Sequence, residues 1–392
     1  MYELRDYQQE MVDKIVNSTG NVVAVACTGA GKSIVIAELA NQLGSCLILQ
    51  PSKEIIEQNV SKLATYTGKD VIGTYCAGLG KKEVNKYTFA TIQSVYRKPE
   101  LFQDFKLVII DECHSVVTED TKGKSMYNQL LASMDNPRVV GLTATPYRIE
   151  ADTKKVYGGL ETTQTFRMID HGAFWDRIVY AVNPKDLIVK GFLTDFTYVR
   201  KEIIQTGKLK GTDYDLSQLK YSEKEIMKGI EYSNTIARHI LVFCPSVELA
   251  LNLSEKTPNS ACIHANSSDR DEIIQNFKEG GIKVVFNVGT LTTGFDFPEL
   301  DCIILARPTK SISLYMQMLG RGARIAPGKE TCYIIDLTST TKNLGQFKDI
   351  RVVNTVKGSN LIANGMYWNN QQLSSYTIDF PWKKRMKSKD LF

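Results

Sequence analysis

Short, uninterrupted apolar runs recur along this chain, separated by longer stretches in which apolar residues fall three and four positions apart. In the first half the runs are residues 22–26, 46–49, 106–110 and 138–142; in the second half they are 240–243, 283–286, 301–305 and 332–335. Runs that do not alternate with polar residues and are rich in Val and Ile fit parallel strands buried on both faces. The intervening stretches read as helices. After Lys32, residues Ile36, Leu39, Ala40 and Leu43 line one helical face. Ser268 and Asp271 mark another helix start, Ile273, Ile274 and Phe277 supply its apolar face, and Gly280-Gly281 ends it. Strand–helix alternation in two blocks predicts an α/β chain of two tandem domains.

The division expected from this pattern is a first domain over 1–150, a connector over 151–195, a second domain over 196–340 and a C-terminal extension over 341–392. The stretch from 149 to 233 lacks strong strand runs and is polar. The extension carries Tyr367, Trp368, Tyr376, Phe380 and Trp382, then the basic run Lys383-Lys-Arg-Met-Lys-Ser-Lys389. That pairing of rings and charge suits a phosphate backbone and stacked bases.

Composition narrows the class. With 43% hydrophobic and 23% charged residues in 392, a disordered chain, a collagen-like fibre and a coiled coil are excluded. The length suits two to three domains. A net charge of +5, from 48 basic and 43 acidic residues, permits a nucleic-acid partner without demanding one. No run approaches the roughly 18 apolar residues that span a bilayer, so no membrane partner is expected, and the polar start suggests no secretory signal. Cys27, Cys46, Cys76, Cys113, Cys244, Cys262, Cys302 and Cys332 show no zinc-type pair spacing. They read as free thiols in a reducing cytoplasm.

Two constellations carry chemistry. Ala26-Cys-Thr-Gly-Ala-Gly-Lys-Ser33 follows one predicted strand and opens a helix. This is a P-loop pattern with Ala26 at the first glycine position. Thr28, Gly29, Ala30 and Gly31 are small enough for successive N–H groups to wrap a polyphosphate, and the helix points its positive end there. Lys32 would reach the β/γ-phosphates and Ser33 would bind Mg²⁺. Asp111-Glu-Cys-His114 ends the strand that begins at Lys106, where open α/β sheets place their ligands. Asp111 would hold the Mg²⁺ of a bound ATP, and Glu112 would orient and deprotonate the attacking water. His114, beside Glu112, is a candidate for linking the two domains.

The order of motifs resembles the superfamily 2 helicases and translocases. Leu4-Arg-Asp-Tyr-Gln8 is similar to their adenine-reading motif, with Arg5 and Gln8 toward the nucleotide. Residues 26–33 resemble motif I, Gln50-Pro-Ser-Lys-Glu54 motif Ia, Ala90-Thr-Ile-Gln-Ser94 motif Ic, Asp111-Glu-Cys-His114 motif II and Thr143-Ala-Thr145 motif III. In the second block Val242-Phe-Cys-Pro-Ser246 resembles motif IV, Asn287-Val-Gly-Thr-Leu-Thr-Thr-Gly-Phe-Asp296 motif V, and Gln317-Met-Leu-Gly-Arg-Gly-Ala-Arg324 motif VI. Within the superfamily, Arg307-Pro-Thr-Lys-Ser-Ile-Ser-Leu-Tyr-Met-Gln317 and Asp186-Leu-Ile-Val-Lys-Gly-Phe-Leu193 are similar to RadD-like repair helicases and phage branch-migration helicases. The zinc-binding cysteine cluster of some bacterial members is missing here, which leans toward a compact phage-type enzyme.

The resemblance implies two RecA-like domains, ATP and Mg²⁺ as cofactors, and DNA (single-stranded, forked or branched) as partner, with 3′-to-5′ movement. RNA is the open alternative, and so is a translocase that remodels without unwinding. It implies that Arg321 and Arg324, three residues apart on a helix with Gln317 ahead of them, are arginine fingers, and that Asp296 meets the ribose. Pro51, Ser52, Lys53, Thr91, Gln93, Gly289, Thr290 and Thr293 become the nucleic-acid contacts, small polar groups suited to phosphate and sugar rather than bases. Thr143 and Thr145 would transmit closure between ATP and strand.

Overall fold

The computed structural model describes residues 2–116, 125–156, 159–169, 174–207, 209–210, 213–292 and 295–355, with short strands as far as 378. The chain divides into two compact units, one made of 1–148, 167–182 and 352–360, the other of 149–166, 183–351 and 361–392. The Phe380, Trp382 and Lys383-to-Lys389 segment and Thr293 lie outside the described residues.

The first unit is built on an eight-stranded sheet. Its strands in chain order are β1 (Val22–Ala26), β2 (Cys46–Leu49), β3 (Ile72–Cys76), β4 (Lys81–Lys82), β5 (Tyr87–Ala90), β6 (Leu107–Asp111), β7 (Arg138–Thr143) and β8 (Arg177–Val182). They lie in the order β8-β1-β7-β6-β2-β5-β3-β4, parallel except for the β3–β4 pair. Parallel neighbours need crossovers, and α1 (Asp6–Val16), α2 (Lys32–Leu43) and α3 (Lys53–Thr67) flank the sheet. Every residue of β1, β2 and β6 is buried, which is why those runs contain no polar alternation. α2 buries Val35, Ile36, Ala37, Leu39 and Ala40. That face is wider than the predicted stripe because α2 packs against both α1 and α3. Leu43 ends half-buried before Gly44.

The second unit holds a six-stranded, all-parallel sheet. β9 (Asp195–Arg200), β10 (Ile240–Phe243), β11 (Ser260–Ile263), β12 (Val284–Asn287), β13 (Cys302–Leu305) and β14 (Thr331–Asp336) lie in the order β9-β14-β13-β10-β12-β11. Its core joins Val242, Phe286, Ile304 and Ile335 from four strands to Ile226, Ile230 and Leu253 from the helices spanning Glu223–Ile236 and Val247–Glu255. The helix Arg270–Lys278 begins after Asp269, buries Ile273 and Phe277, and stops before Gly280.

Two expected boundaries move. The stretch 151–195, read as connector, contains β8, which pairs with β1 and belongs to the first unit. Its burial is mixed because it is an edge strand, so its sequence carries no solid apolar run. The extension expected from 341 also begins too early: Leu344, Phe347 and Ile350 are buried, and the second unit continues to 351.

Candidate nucleotide and nucleic-acid sites

The first sheet sorts its motifs by strand order. The P-loop follows β1, Thr143-Ala-Thr145 closes β7 and Asp111-Glu-Cys-His114 closes β6, and these three strands are neighbours. Motifs Ia and Ic follow β2 and β5, the next pair along. All of them sit at the carboxyl edge of the sheet, where parallel α/β proteins hold ligands.

In the P-loop, Gly29 (φ 91°) and Gly31 (φ 77°) take left-handed backbone that side chains rarely adopt. A Cβ at Gly31 would also lie 2.4 Å from Gln8 Nε2. Gln8 is buried against the loop: its Nε2 donates to the Ala30 carbonyl at 3.2 Å and its Oε1 accepts from Arg5 N–H at 3.0 Å. Tyr7 OH donates to the same Ala30 carbonyl at 2.8 Å. The buried Thr28 hydroxyl has no partner among the described residues. Ser33 stands in the first turn of α2, half-buried.

Lys32 Nζ lies 3.3 Å from Glu112 Oε1 and donates to the Ala26 carbonyl at 3.3 Å. Glu112 occupies left-handed backbone (φ 52°), an uncommon state for a non-glycine residue that is found at constrained functional turns. Its other oxygen lies 3.3 Å from His114 Nδ1 and accepts from Thr143 Oγ1 at 3.4 Å. His114 Nδ1 is 2.8 Å from Thr143 Oγ1, and Thr145 N–H donates to that hydroxyl at 3.0 Å. His114 therefore joins motif II to motif III within the first unit. Burial alone would raise the Glu112 carboxyl, but Lys32 and His114 draw it well below the usual carboxylate range. Burial and the adjacent Glu112 push Asp111 up.

After the neighbouring strands Pro51, Lys53 and Gln93 are exposed, and Ser52 holds the N-cap position of α3 without a side-chain capping bond. Thr91 is mostly buried instead, with its hydroxyl 2.8 Å from Ser94 Oγ at the start of the next helical turn, Ile92–Val95. Ser94 Oγ in turn accepts from Ala77 N–H at 3.0 Å. Thr91 shapes this loop.

In the second unit the helix Ile312–Leu319 carries Gln317, but ends before Arg321 and Arg324. The expectation that both arginines share a helical face is therefore corrected: Gly320 closes the helix and the arginines occupy the turn beyond it. They still converge. Arg321, buried, donates to the Phe295 carbonyl at 2.7 Å and the Thr292 carbonyl at 2.8 Å. Arg324 donates to the Phe295 carbonyl at 3.3 Å and pairs with the Asp296 carboxylate. Asp296, expected at a ribose, is thus engaged by motif VI. Gly289 is exposed in left-handed backbone (φ 72°), while Thr290 donates through its N–H and hydroxyl to the buried Asn287 Oδ1.

Two family profiles match the chain. Residues 1–148 match the family described as "Type III restriction enzyme, res subunit", and residues 222–326 match "Helicase conserved C-terminal domain". The chain belongs to the superfamily 2 helicases. It is 29% identical to IRC3 of Saccharomyces cerevisiae, whose name places it with the ATP-dependent helicases, over 85% of this chain and 51% of that protein. It is 26% identical to "DNA 3'-5' translocase XPB2" of Sulfurisphaera tokodaii, over 81% of this chain and 78% of that one. The chain spans little more than half the length of the yeast IRC3 relatives it matches. Among solved structures, an HsdR-subunit fragment of a type I restriction enzyme from Vibrio vulnificus has the same fold, with a TM-score of 0.63 at 20% identity over 89% of this chain and 67% of that chain. S. cerevisiae Dbp5 bound to RNA and ADP BeF3 shares it at a TM-score of 0.54 and 14% identity, over 84% of this chain and 82% of that one. These neighbours are tandem RecA-like domains, the architecture the motifs implied. The relatives carry the superfamily level of the resemblance and add nothing to the RadD-like grouping within it.

For a superfamily 2 chain, three contributors to the site were not singled out from sequence. Tyr7 lies inside the N-terminal motif, yet nothing in its type signalled a bond to the P-loop. Thr194 and Lys329 lie outside the motifs and act on backbone carbonyls, which leave no trace in a residue pattern.

Proposed function

We propose that this chain is an ATP-hydrolysing DNA translocase that unwinds or branch-migrates DNA in repair, recombination or replication, moving 3′ to 5′. The observation that carries the reading is the continuous set of contacts from Lys32 through Glu112 to His114, Thr143 and Thr145. It places a phosphate-seeking cation, a carboxylate held ionised and a hydroxyl relay at one sheet edge. The printed name of the archaeal relative, a DNA 3'-5' translocase, supports the choice of DNA and polarity.

The residues fit a nucleoside triphosphate with its metal. The left-handed glycines give the loop a backbone that can wrap a polyphosphate, and the Thr28 hydroxyl, without a partner among the described residues, lies in the same loop. Asp111 and Ser33 would hold Mg²⁺, which when bound supplies neutralisation of the phosphate oxygens. Lys32 would exchange Glu112 for phosphate. Glu112, kept a carboxylate, would accept the proton of the attacking water. Arg321 and Arg324 would supply cationic stabilisation, and Gln317 would accompany them. Pro51, Ser52, Lys53, Gln93, Gly289 and Thr290 would bear on the sugar-phosphate backbone.

The test is steady-state ATP turnover alone, with single-stranded, forked and four-way-junction DNA, and with RNA of equal length. DNA stimulation with strand displacement on forks or junctions is the expected result. Stimulation by RNA alone would move the reading to an RNA helicase, and stimulation without displacement to a remodelling translocase. Absence of turnover under every condition would overturn it.

A further inference from the structure

The turn that carries Arg321 and Arg324 has its backbone held as firmly as its side chains. Three successive carbonyls, those of Gly322, Ala323 and Arg324, are each met by a donor from elsewhere in the unit. Lys329 Nζ donates to the Gly322 and Arg324 carbonyls at 2.8 Å each, and at the same distance to the Pro298 carbonyl beyond motif V. Thr194 N–H donates to the Ala323 carbonyl at 2.8 Å, and Thr194 Oγ1 to the Arg324 carbonyl at 2.9 Å. An ammonium has three protons. Here all three fall on peptide oxygens, two from motif VI and one from the segment after motif V.

The placement is enforced from the opposite side. A Cβ at Gly322 would lie 2.4 Å from Cys332 Sγ on β14 and 3.1 Å from Ile303 Cδ1 on β13. The turn is thus pressed onto the sheet while Lys329 and Thr194 hold its carbonyls. Burial lowers the Lys329 pKa from the ordinary lysine value, with Cys332 and Asp301 opposing that shift. Three carbonyl acceptors favour the protonated form. Thr194 is buried, and directly follows the Asp186-to-Leu193 stretch that motif order alone leaves without a role.

We infer that Lys329 and Thr194 are positioning residues that set the geometry of Arg321 and Arg324 by bracing the carbonyls of the turn between them. The inference rests on the proposed ATPase reading for its kinetic consequence, but not for its structural one. A misplacement of about 1 Å in a charge-stabilising group is enough to lower turnover on the order of a hundredfold.

The test has two arms on the full chain. Deuterium uptake over residues 320–326 is compared between the wild type, Lys329→Met and Thr194→Val. Faster uptake confined to this turn, with uptake unchanged elsewhere in the profile, is expected; unchanged uptake in both variants overturns the inference whether or not the chain hydrolyses ATP. In the second arm DNA-stimulated turnover is measured. Lys329→Met is expected to lower kcat by about tenfold to a hundredfold at a nearly constant KM for ATP, and Thr194→Val by about threefold to tenfold. Combining Lys329→Met with Arg324→Ala should lower turnover by less than the product of the two separate losses, because part of the Lys329 effect acts through Arg324. Losses that multiply would mean that Lys329 acts independently of the arginine, and would also overturn the inference. Should Lys329→Met fail to fold, the isosteric Thr194→Val carries both arms. A wild type without turnover would sink the proposed function while the exchange arm still decides the bracing.

Discussion

The two sheets hold their charged motif residues in opposite ways. In the first unit Lys32, Glu112, His114 and Thr143 are joined mainly side chain to side chain, across contacts of 2.8 to 3.4 Å. In the second, Arg321, Arg324 and Lys329 are joined chiefly to peptide carbonyls. A side-chain pair can dissolve when a stronger partner arrives, because rotamers change without moving the main chain. An arginine bonded to carbonyls fixes a loop's shape and yields only if the loop moves. The difference teaches that the first cluster is arranged to exchange partners and the second to hold a geometry.

The largest test of that contrast is Lys32→Ala. It should reduce ATP turnover on the order of a hundredfold to a thousandfold, as the loss of a charge-stabilising group does elsewhere, while circular dichroism and melting stay close to wild type. A variant that unfolds instead would show that the Lys32–Glu112 pair is structural. Next, Glu112→Gln keeps the shape and removes the base. Turnover should fall by about a hundredfold or more, with nucleotide affinity, read by a fluorescent analogue, retained.

The second cluster should answer differently. Arg321→Met takes the donor from the Thr292 carbonyl, while Arg324 still serves that of Phe295, and should lower stability by about 1–3 kcal/mol, the cost of one buried group left unpaired. A lowered melting temperature is its signature, and a fold of undiminished stability would contradict the contrast drawn above. Last is Gly322→Ala, whose Cβ meets Cys332 Sγ and Ile303. Overpacking of this kind costs about 1–3 kcal/mol, and Cys332→Ala in the same chain should recover part of it.

Much of this was legible in the sequence because central parallel strands admit no polar residues. The runs at 22–26, 46–49 and 240–243 became β1, β2 and β10 without a shift of register. The strands that escaped are ones whose composition is diluted by exposure or by small and polar residues. β8 and β11 lie at sheet edges with mixed burial, β9 at the other edge of the second sheet, and β3 contains Gly73 and Thr74. The P-loop and the acidic motif were legible because phosphate and metal chemistry dictate residue types at fixed spacing. Thr91, expected at a nucleic-acid contact, has its hydroxyl beside Ser94 Oγ, because a threonine hydroxyl serves a helix start as readily as a ligand. The helical reading of Arg321 and Arg324 failed at Gly320, where the helix ends, since residue spacing alone does not locate a helix end. Lys329 and Thr194 escaped because what they touch is backbone, identical at every position.

One contact beneath the acidic motif carries a different kind of consequence. A Cβ at Gly141 would stand 2.6 Å from Cys113 Sγ and 2.7 Å from Trp175 Cη2. Residue 113, the third letter of the Asp-Glu-Cys-His motif, residue 141 on β7 and residue 175 ahead of β8 therefore share one volume. Drift at any of the three is constrained by the other two, and sequence divergence here should be epistatic. Alanine at 141 should be harmful beside Cys113 and less so once position 113 has shrunk to alanine, with Trp175 Cη2 at 2.7 Å and the residue-113 Cβ at 2.9 Å still opposing it, so the order in which changes at the three positions arise decides which path is open.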